Sequence, residues 1–196
     1  MLRLSPVLAP TTGQADSIPV KERVKNQSLA ARDAVRRSSR VSGLAIDKLE
    51  KDERDVPQPD GNVYWSLSHT SKLVAGVVAE CEVGIDVEGP RVVREALIHK
   101  IVSEAEAKLL GGRDERAFLR TWTAKESFLK CIGLGVAGLS RCKITSAPSD
   151  EELHLEFDSH TYRIYQTTFN GHVAALCLAM PIGPESPAVA IDWILP

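Results

Sequence analysis

Apolar residues change their spacing along the chain in a way that separates strands from helices. Val83, Ile85 and Val87 alternate with Gly84, Asp86 and Glu88, the period of a strand with aliphatic side chains on one face and both carboxylates on the other. Upstream, Lys72–Ala79 is an apolar run rich in β-branched residues, and Asn62–His69 also reads as extended. Three short strands in succession predict an antiparallel meander, with His69 and Asp86 held at strand ends. Before them, Leu2–Leu8 predicts a short strand and Pro10–Pro19 a loop. Lys21–Arg40 predicts a helix whose basic side carries Lys25, Arg32, Arg36, Arg37 and Arg40. A proline- and charge-rich connector, Asp52–Gly61, leads from that helix to the strands.

Past the acidic strand the period changes. Ser103 followed three residues later by Glu106 is a capping-box pattern, and Gly111-Gly112 closes the short helix it opens. A longer helix is expected from about Asp114 to Lys130, ended by Gly133 and Gly135. It stacks Phe118 on Trp122 and sets Glu126 and Lys130 on one face. Beyond Gly138 the expected strands are Arg141–Ser146, Leu153–Phe157, Thr161–Phe169, His172–Ala179 and Ala188–Leu195. Asn170-Gly171 supplies the two-residue hairpin turn that needs positive φ at both positions.

Two stretches repeat with similar character: Val74–Ala79 with Val173–Leu178, and Val83–Glu88 with Val189–Ile194. This echo predicts one α+β domain over 1–196 made of two pseudo-symmetric halves, at about 1–90 and 91–196. Each half would be a small, mainly antiparallel sheet packed with helices. Ile194 stands where the second copy would have its acid, which confines the chemistry to the first.

Composition narrows the function. A chain of 196 residues supports one substantial core or two small halves sharing one. A net charge of −2 excludes a general nucleic-acid or membrane-surface binder, so any bound anion must be met by local cations. The four cysteines, Cys81, Cys131, Cys142 and Cys177, are far apart and form no CxxC or Cys/His pattern. Reduced, buried thiols are therefore expected, as in a cytoplasmic protein. No segment has a signal peptide's apolar core or approaches the ~20 apolar residues of a membrane span. What stands out chemically is the pair Asp86 and Glu88, whose mutual repulsion calls for solvent, a basic partner or a divalent cation.

Three blocks carry a family likeness: Trp65-Ser66-Leu67-Ser68-His69, Val83-Gly84-Ile85-Asp86-Val87-Glu88, and Trp122-Thr123-Ala124-Lys125-Glu126-Ser127-Phe128-Leu129-Lys130. In this order and spacing they resemble the signature of the 4'-phosphopantetheinyl transferases, in particular the larger surfactin-synthetase-activating type with two halves in one chain. The resemblance covers about Asn62–Gly138. It implies transfer of the phosphopantetheine arm of coenzyme A to a serine hydroxyl of an acyl or peptidyl carrier protein, with release of adenosine 3',5'-bisphosphate. It also implies Mg²⁺, with Mn²⁺ as a substitute, and a monomer, since both halves lie in one chain.

Residue by residue, the resemblance implies that Asp86, Glu88 and Glu126 hold the metal and that Glu126 also receives the serine proton. Lys130 matches the lysine on the coenzyme's phosphates, and Lys125 belongs to the same block. His69 matches a 3'-phosphate ligand, with Ser68 beside it and Arg32 placed on the first helix for the same phosphate. The chain departs from the pattern at Val56-Pro57, where the family has a basic residue before the proline; Arg54 is the nearest cation. Gly133-Leu134-Gly135 stands where Gly-Lys-Gly is frequent. Two other readings use the same residues: a non-catalytic coenzyme A or nucleotide binder, and a metal-dependent pyrophosphohydrolase that needs no carrier.

Overall fold

A computed structural model describes residues 1–11 and 18–196; the central part of the loop expected over Pro10–Pro19 lies outside the described residues. The chain is α+β, and its described residues form three sheets with helices packed on them. The N-terminal apolar stretch forms not one strand but two, β1 (Leu2–Leu4) and β2 (Val7–Pro10), divided at Ser5-Pro6. Next come α1 (Val20–Ser42), β3 (Tyr64–His69), β4 (Leu73–Ala79) and β5 (Val83–Glu88). Helices α2 (Glu95–Ile101), α3 (Glu104–Leu110) and α4 (Glu115–Cys131) follow, then a 3-10 turn over Gly135–Arg141 that takes in the residue expected to open the next strand, Arg141. The remaining strands are β6 (Lys143–Ser149), β7 (Glu152–Phe157), β8 (His160–Phe169), β9 (His172–Pro181) and β10 (Val189–Ile191).

The first sheet has the order β2-β4-β3 and is covered by α1. Small residues make that cover close. Ala31, Ala34, Val35, Ser38 and Ser39 form the buried stripe of α1, and a Cβ at Gly76 of β4 would lie 2.4 Å from the Val35 amide nitrogen. Ser38 Oγ accepts the Val78 N–H at 3.1 Å, tying helix to strand.

The expected meander does not form. β3 and β4 pair antiparallel, but β5 leaves them and pairs with β9 in a five-stranded antiparallel sheet of order β5-β9-β8-β7-β6. Both edges of β4 are already taken, by β2 and β3, so its ladder has no place for β5. β5 runs beside β3 instead, and serine hydroxyls replace the backbone ladder between the two sheets. Ser66 Oγ accepts the Ile85 N–H at 3.0 Å, and Ser68 Oγ donates to Asp86 Oδ1 at 2.8 Å. At the other end of the chain, β10 returns to the N-terminus and pairs parallel with β1.

Alternation along β5 sorts its faces as expected, but neither face is open. Val83, Ile85 and Val87 enter the central cluster with Leu73, Ala75, Val77, Leu176 and Leu178. The opposite face lies under α4, which also packs on β9. Asp114 caps α4 by accepting the Ala117 N–H at 2.8 Å, while α3 carries the complete Ser103/Glu106 capping box. The β8–β9 turn has φ of 47° at Asn170 and 75° at Gly171, as its two-residue length requires. Three of the four free cysteines are buried and Cys81 is half-buried. Among the described residues no helix is long and apolar enough to cross a membrane.

Candidate active site

The site is set by how near α4 comes to β5. A Cβ at Gly84 would sit 1.9 Å from the Ser127 carbonyl oxygen and 2.5 Å from the Cys131 nitrogen, so only glycine allows this contact. Two residues along the same strand face comes Asp86. Glu126 and Lys130, on the strand-facing side of the helix, are brought to it.

Asp86 is buried, and its two oxygens are treated differently. Oδ1 accepts from Ser68 Oγ at 2.8 Å and from the Lys130 ammonium at 2.7 Å; Oδ2 is buried with no hydrogen-bond partner. Glu126 Oε1 is likewise buried and partnerless. Lys130 also donates to the Ile85 carbonyl at 3.3 Å. Glu88, at the end of β5, lies 3.7 Å from the Arg91 guanidinium. Burial pushes the Glu126 carboxyl above its ordinary range, the charge of Asp86 pushes it further, and Lys130 opposes both. The same two influences, burial first and then Asp86, raise Glu88, with Arg91, the Trp122 indole and Lys130 pulling the other way. Three carboxyls thus share one field with two cations, Lys130 on Asp86 and Arg91 near Glu88.

Cations and cavities flank this group. A cavity of about 360 Å³ opens on Glu126 and Lys130 and is walled by Lys51, Arg54, Val56-Pro57, Leu129 and Leu134. On the other side a second cavity of about 350 Å³ is walled by His69, Lys72, Glu88, Arg91 and His172. His69 is half-buried; burial lowers its pKa, and Lys130 and Lys51 lower it further. An incoming anion would reverse those two charge effects and favour the imidazolium.

Not every expected residue reaches this place. Lys125 points to another side of α4: its ammonium is 2.8 Å from Glu106 Oε1 and donates to the Ile101 carbonyl at 2.9 Å, with side chains 7% and 4% exposed. Ser68 is bound to Asp86 itself, so it orients a carboxylate. Arg32 donates to the Leu49 carbonyl at 2.6 Å and lies over the Trp65 ring, 5.9 Å from its centre, outside both cavities. Arg54 is on the cavity rim, its side chain 77% exposed, in a turn whose Arg54 and Val56 N–H groups both bond Asp52 Oδ1 at 2.9 Å. Lys51 has no motif around it in the sequence, standing just before the polar connector; its charge is nonetheless felt at His69.

Comparison with known proteins bears on this geometry. Residues 82–177, which contain the acidic strand and all of α4, match the model of the 4'-phosphopantetheinyl transferase superfamily. The chain is 31% identical over 149 residues to the 4'-phosphopantetheinyl transferase psf-1 of Bacillus pumilus, an alignment covering 71% of this chain and 63% of that protein. The chain belongs to the 4'-phosphopantetheinyl transferase superfamily.

Two further members are similar over shorter stretches. Identity to ffp of Bacillus subtilis is 25% over 131 residues, covering 63% of this chain and 58% of ffp. Identity to gsp of Aneurinibacillus migulanus is 28% over 92 residues, covering 45% and 39%. The chain thus spans less than two thirds of the length of each of these transferases.

The donor set can be tested against the hard divalent cation that the superfamily implies. Among the described residues no trio of His, Cys, Asp or Glu is gathered closely enough to hold a metal by itself. Two buried carboxylate oxygens without partners, Asp86 Oδ2 and Glu126 Oε1, do fit one. Mg²⁺ keeps waters and binds through one or two carboxylates plus substrate phosphates, so an all-protein cage is not needed. The two carboxylates therefore suit an oxygen-ligated divalent cation.

Proposed function

We propose that the chain is a Mg²⁺-dependent transferase that moves the 4'-phosphopantetheine arm of coenzyme A onto a serine of an acyl or peptidyl carrier protein. The observation that carries this reading is the pair of partnerless buried oxygens, Asp86 Oδ2 and Glu126 Oε1, beside a cation-rimmed cavity. In the reaction the serine Oγ bonds to the phosphorus next to the pantetheine, the bond from that phosphorus to the bridging oxygen breaks, and adenosine 3',5'-bisphosphate departs. When bound, Mg²⁺ would supply neutralisation of the pyrophosphate oxygens.

The protein's own groups divide the remaining work. Glu126 receives the serine proton, directly or through water; burial and Asp86 raise its carboxyl in the metal-free protein, a bound cation would lower it again, and its work is therefore positioning as much as proton affinity. Lys130 faces the pyrophosphate, and Lys51, Arg54 and His69 meet the other phosphate charge locally, which a chain of net charge −2 requires. Ser68 holds Asp86 in place. Asp86, Glu126 and Glu88 are assigned to the cation, Mg²⁺ or Mn²⁺. Lys125 and Arg32 are assigned to the scaffold, on the strength of their bonds to Glu106, Ile101 and Leu49. We assign the surfactin-synthetase-activating type, a monomeric state and a cytoplasmic setting on the likeness of the three sequence blocks.

Incubation with coenzyme A, Mg²⁺ and a panel of apo carriers is the test. Addition of the arm to at least one carrier is expected; hydrolysis of coenzyme A at the same rate with no carrier present would move the assignment to a pyrophosphohydrolase.

A further inference from the structure

Lys130 does more in this structure than face a future phosphate. Its ammonium is 2.7 Å from Asp86 Oδ1 and 3.3 Å from the Ile85 carbonyl, on a stem that is one-third exposed. The neighbouring Asp86 Oδ2 and Glu126 Oε1 remain buried and partnerless. The only cation touching the carboxylate cluster from α4 is thus a tethered one, seated on the carboxylate that a divalent cation would need most.

We propose that Lys130 is a built-in placeholder for the divalent cation: it neutralises Asp86 in the ligand-free protein and is displaced from it when metal and pyrophosphate enter together. This rests on the metal assignment made above. Charge requires such an exchange. Asp86, Glu88 and Glu126 without a cation repel one another, whereas metal and Lys130 on one carboxylate repel each other. A pyrophosphate resolves the conflict by giving the ammonium a second anion to move to. The site would then bind metal weakly alone and strongly with coenzyme A, so that ordered, joint loading is a property of one lysine.

Binding of Mn²⁺, followed by the electron paramagnetic resonance of the free ion, tests this without any turnover. Lys130→Met and Lys130→Gln should each bind Mn²⁺ without coenzyme at least about tenfold more tightly than wild type. Coenzyme A should tighten Mn²⁺ binding strongly in wild type and much less in either variant. Mn²⁺ should also raise the melting temperature of the ligand-free variants more than that of wild type, which shows that they are folded and loaded. If coenzyme A brings Mn²⁺ to wild type but the two folded variants bind the ion no more tightly alone, the placeholder role is overturned and the metal site stands. If wild type with coenzyme A binds no Mn²⁺, the metal assignment falls and the placeholder with it.

Discussion

Replacing Gly84 with alanine isolates the contact on which the site depends. The added methyl would lie 1.9 Å from the Ser127 carbonyl oxygen, against at least 3.4 Å for ordinary contact, so α4 and β5 must part by about 1.5 Å along that line. The obstructing atoms are helix backbone, which cannot turn aside as a side chain would. Overpacking of this kind costs about 1–3 kcal/mol, and backbone contact on both the Ser127 and Cys131 sides puts Gly84→Ala near the upper end. The same movement draws Glu126 and Lys130 away from Asp86, and misplacement by ~1 Å lowers rates by roughly 10²-fold. Gly76→Ala provides the comparison: it collides with the backbone of α1, 2.4 Å from the Val35 nitrogen, and leaves the acidic strand alone. Urea denaturation and carrier-modification kinetics on both variants are the assays. Both should lose stability, but only Gly84→Ala should lose about a hundredfold in kcat/KM. A Gly84→Ala protein with wild-type midpoint and rate would refute the reasoning, as would equal rate losses in the two variants.

Other outcomes follow from the same geometry. Glu126→Gln should lower transfer by at least about 10²-fold while leaving coenzyme A binding, read by calorimetry, within a few-fold of wild type. Lys125→Met should cost about 3–5 kcal/mol in denaturation, because it leaves the Glu106 carboxylate buried beside the Ile144 N–H without its ammonium partner. Glu126 and Glu88 bind their protons more tightly in the folded than in the unfolded chain. Their contribution to the stability of chelator-treated protein therefore grows as pH falls toward 4.5 and is lost as pH rises through their raised values. Glu106 behaves oppositely: burial raises its carboxyl, but the Ile144 N–H, Lys125 and the Ser103 N–H together hold it below 4.5, so its contribution is lost on acidification. Comparing wild type with Glu126→Gln by urea midpoint across that range should show a shallower acid-side gain in the variant.

Periodicity carried the sequence reading as far as faces and failed where partners had to be chosen. The alternation of Val83–Glu88 set Asp86 and Glu88 on one side of a strand, yet it could not show that β2 occupies the edge of β4 where β5 was expected. Helix α2 has no start signal in the sequence, because its seven residues follow Arg94, which supplies no side-chain cap. Helical geometry, applied to the third block, separates its two lysines: Glu126 and Lys130 are four residues apart and share a face, while Lys125 and Lys130, five apart, diverge by about 140°. Lys125 accordingly pairs with Glu106 in the interior. Arg32 lies on α1, where the basic pattern of Lys21–Arg40 puts it, but its hydrogen bond to Leu49 depends on a segment after the helix that has no periodic signal. Asp86, Glu126 and Lys130 were legible because two local periods, of two and 3.6 residues, aim them, and Gly84 provides the close approach between the elements that carry them.

The transferase assignment is tested most directly by the intact mass of an apo carrier after incubation with this protein, coenzyme A and Mg²⁺. The mass of one phosphopantetheine arm should appear on a carrier with its serine intact, and should be absent with a chelator or with Glu126→Gln. Unchanged carriers across the whole panel, with coenzyme A demonstrably bound to the folded protein, would contradict it.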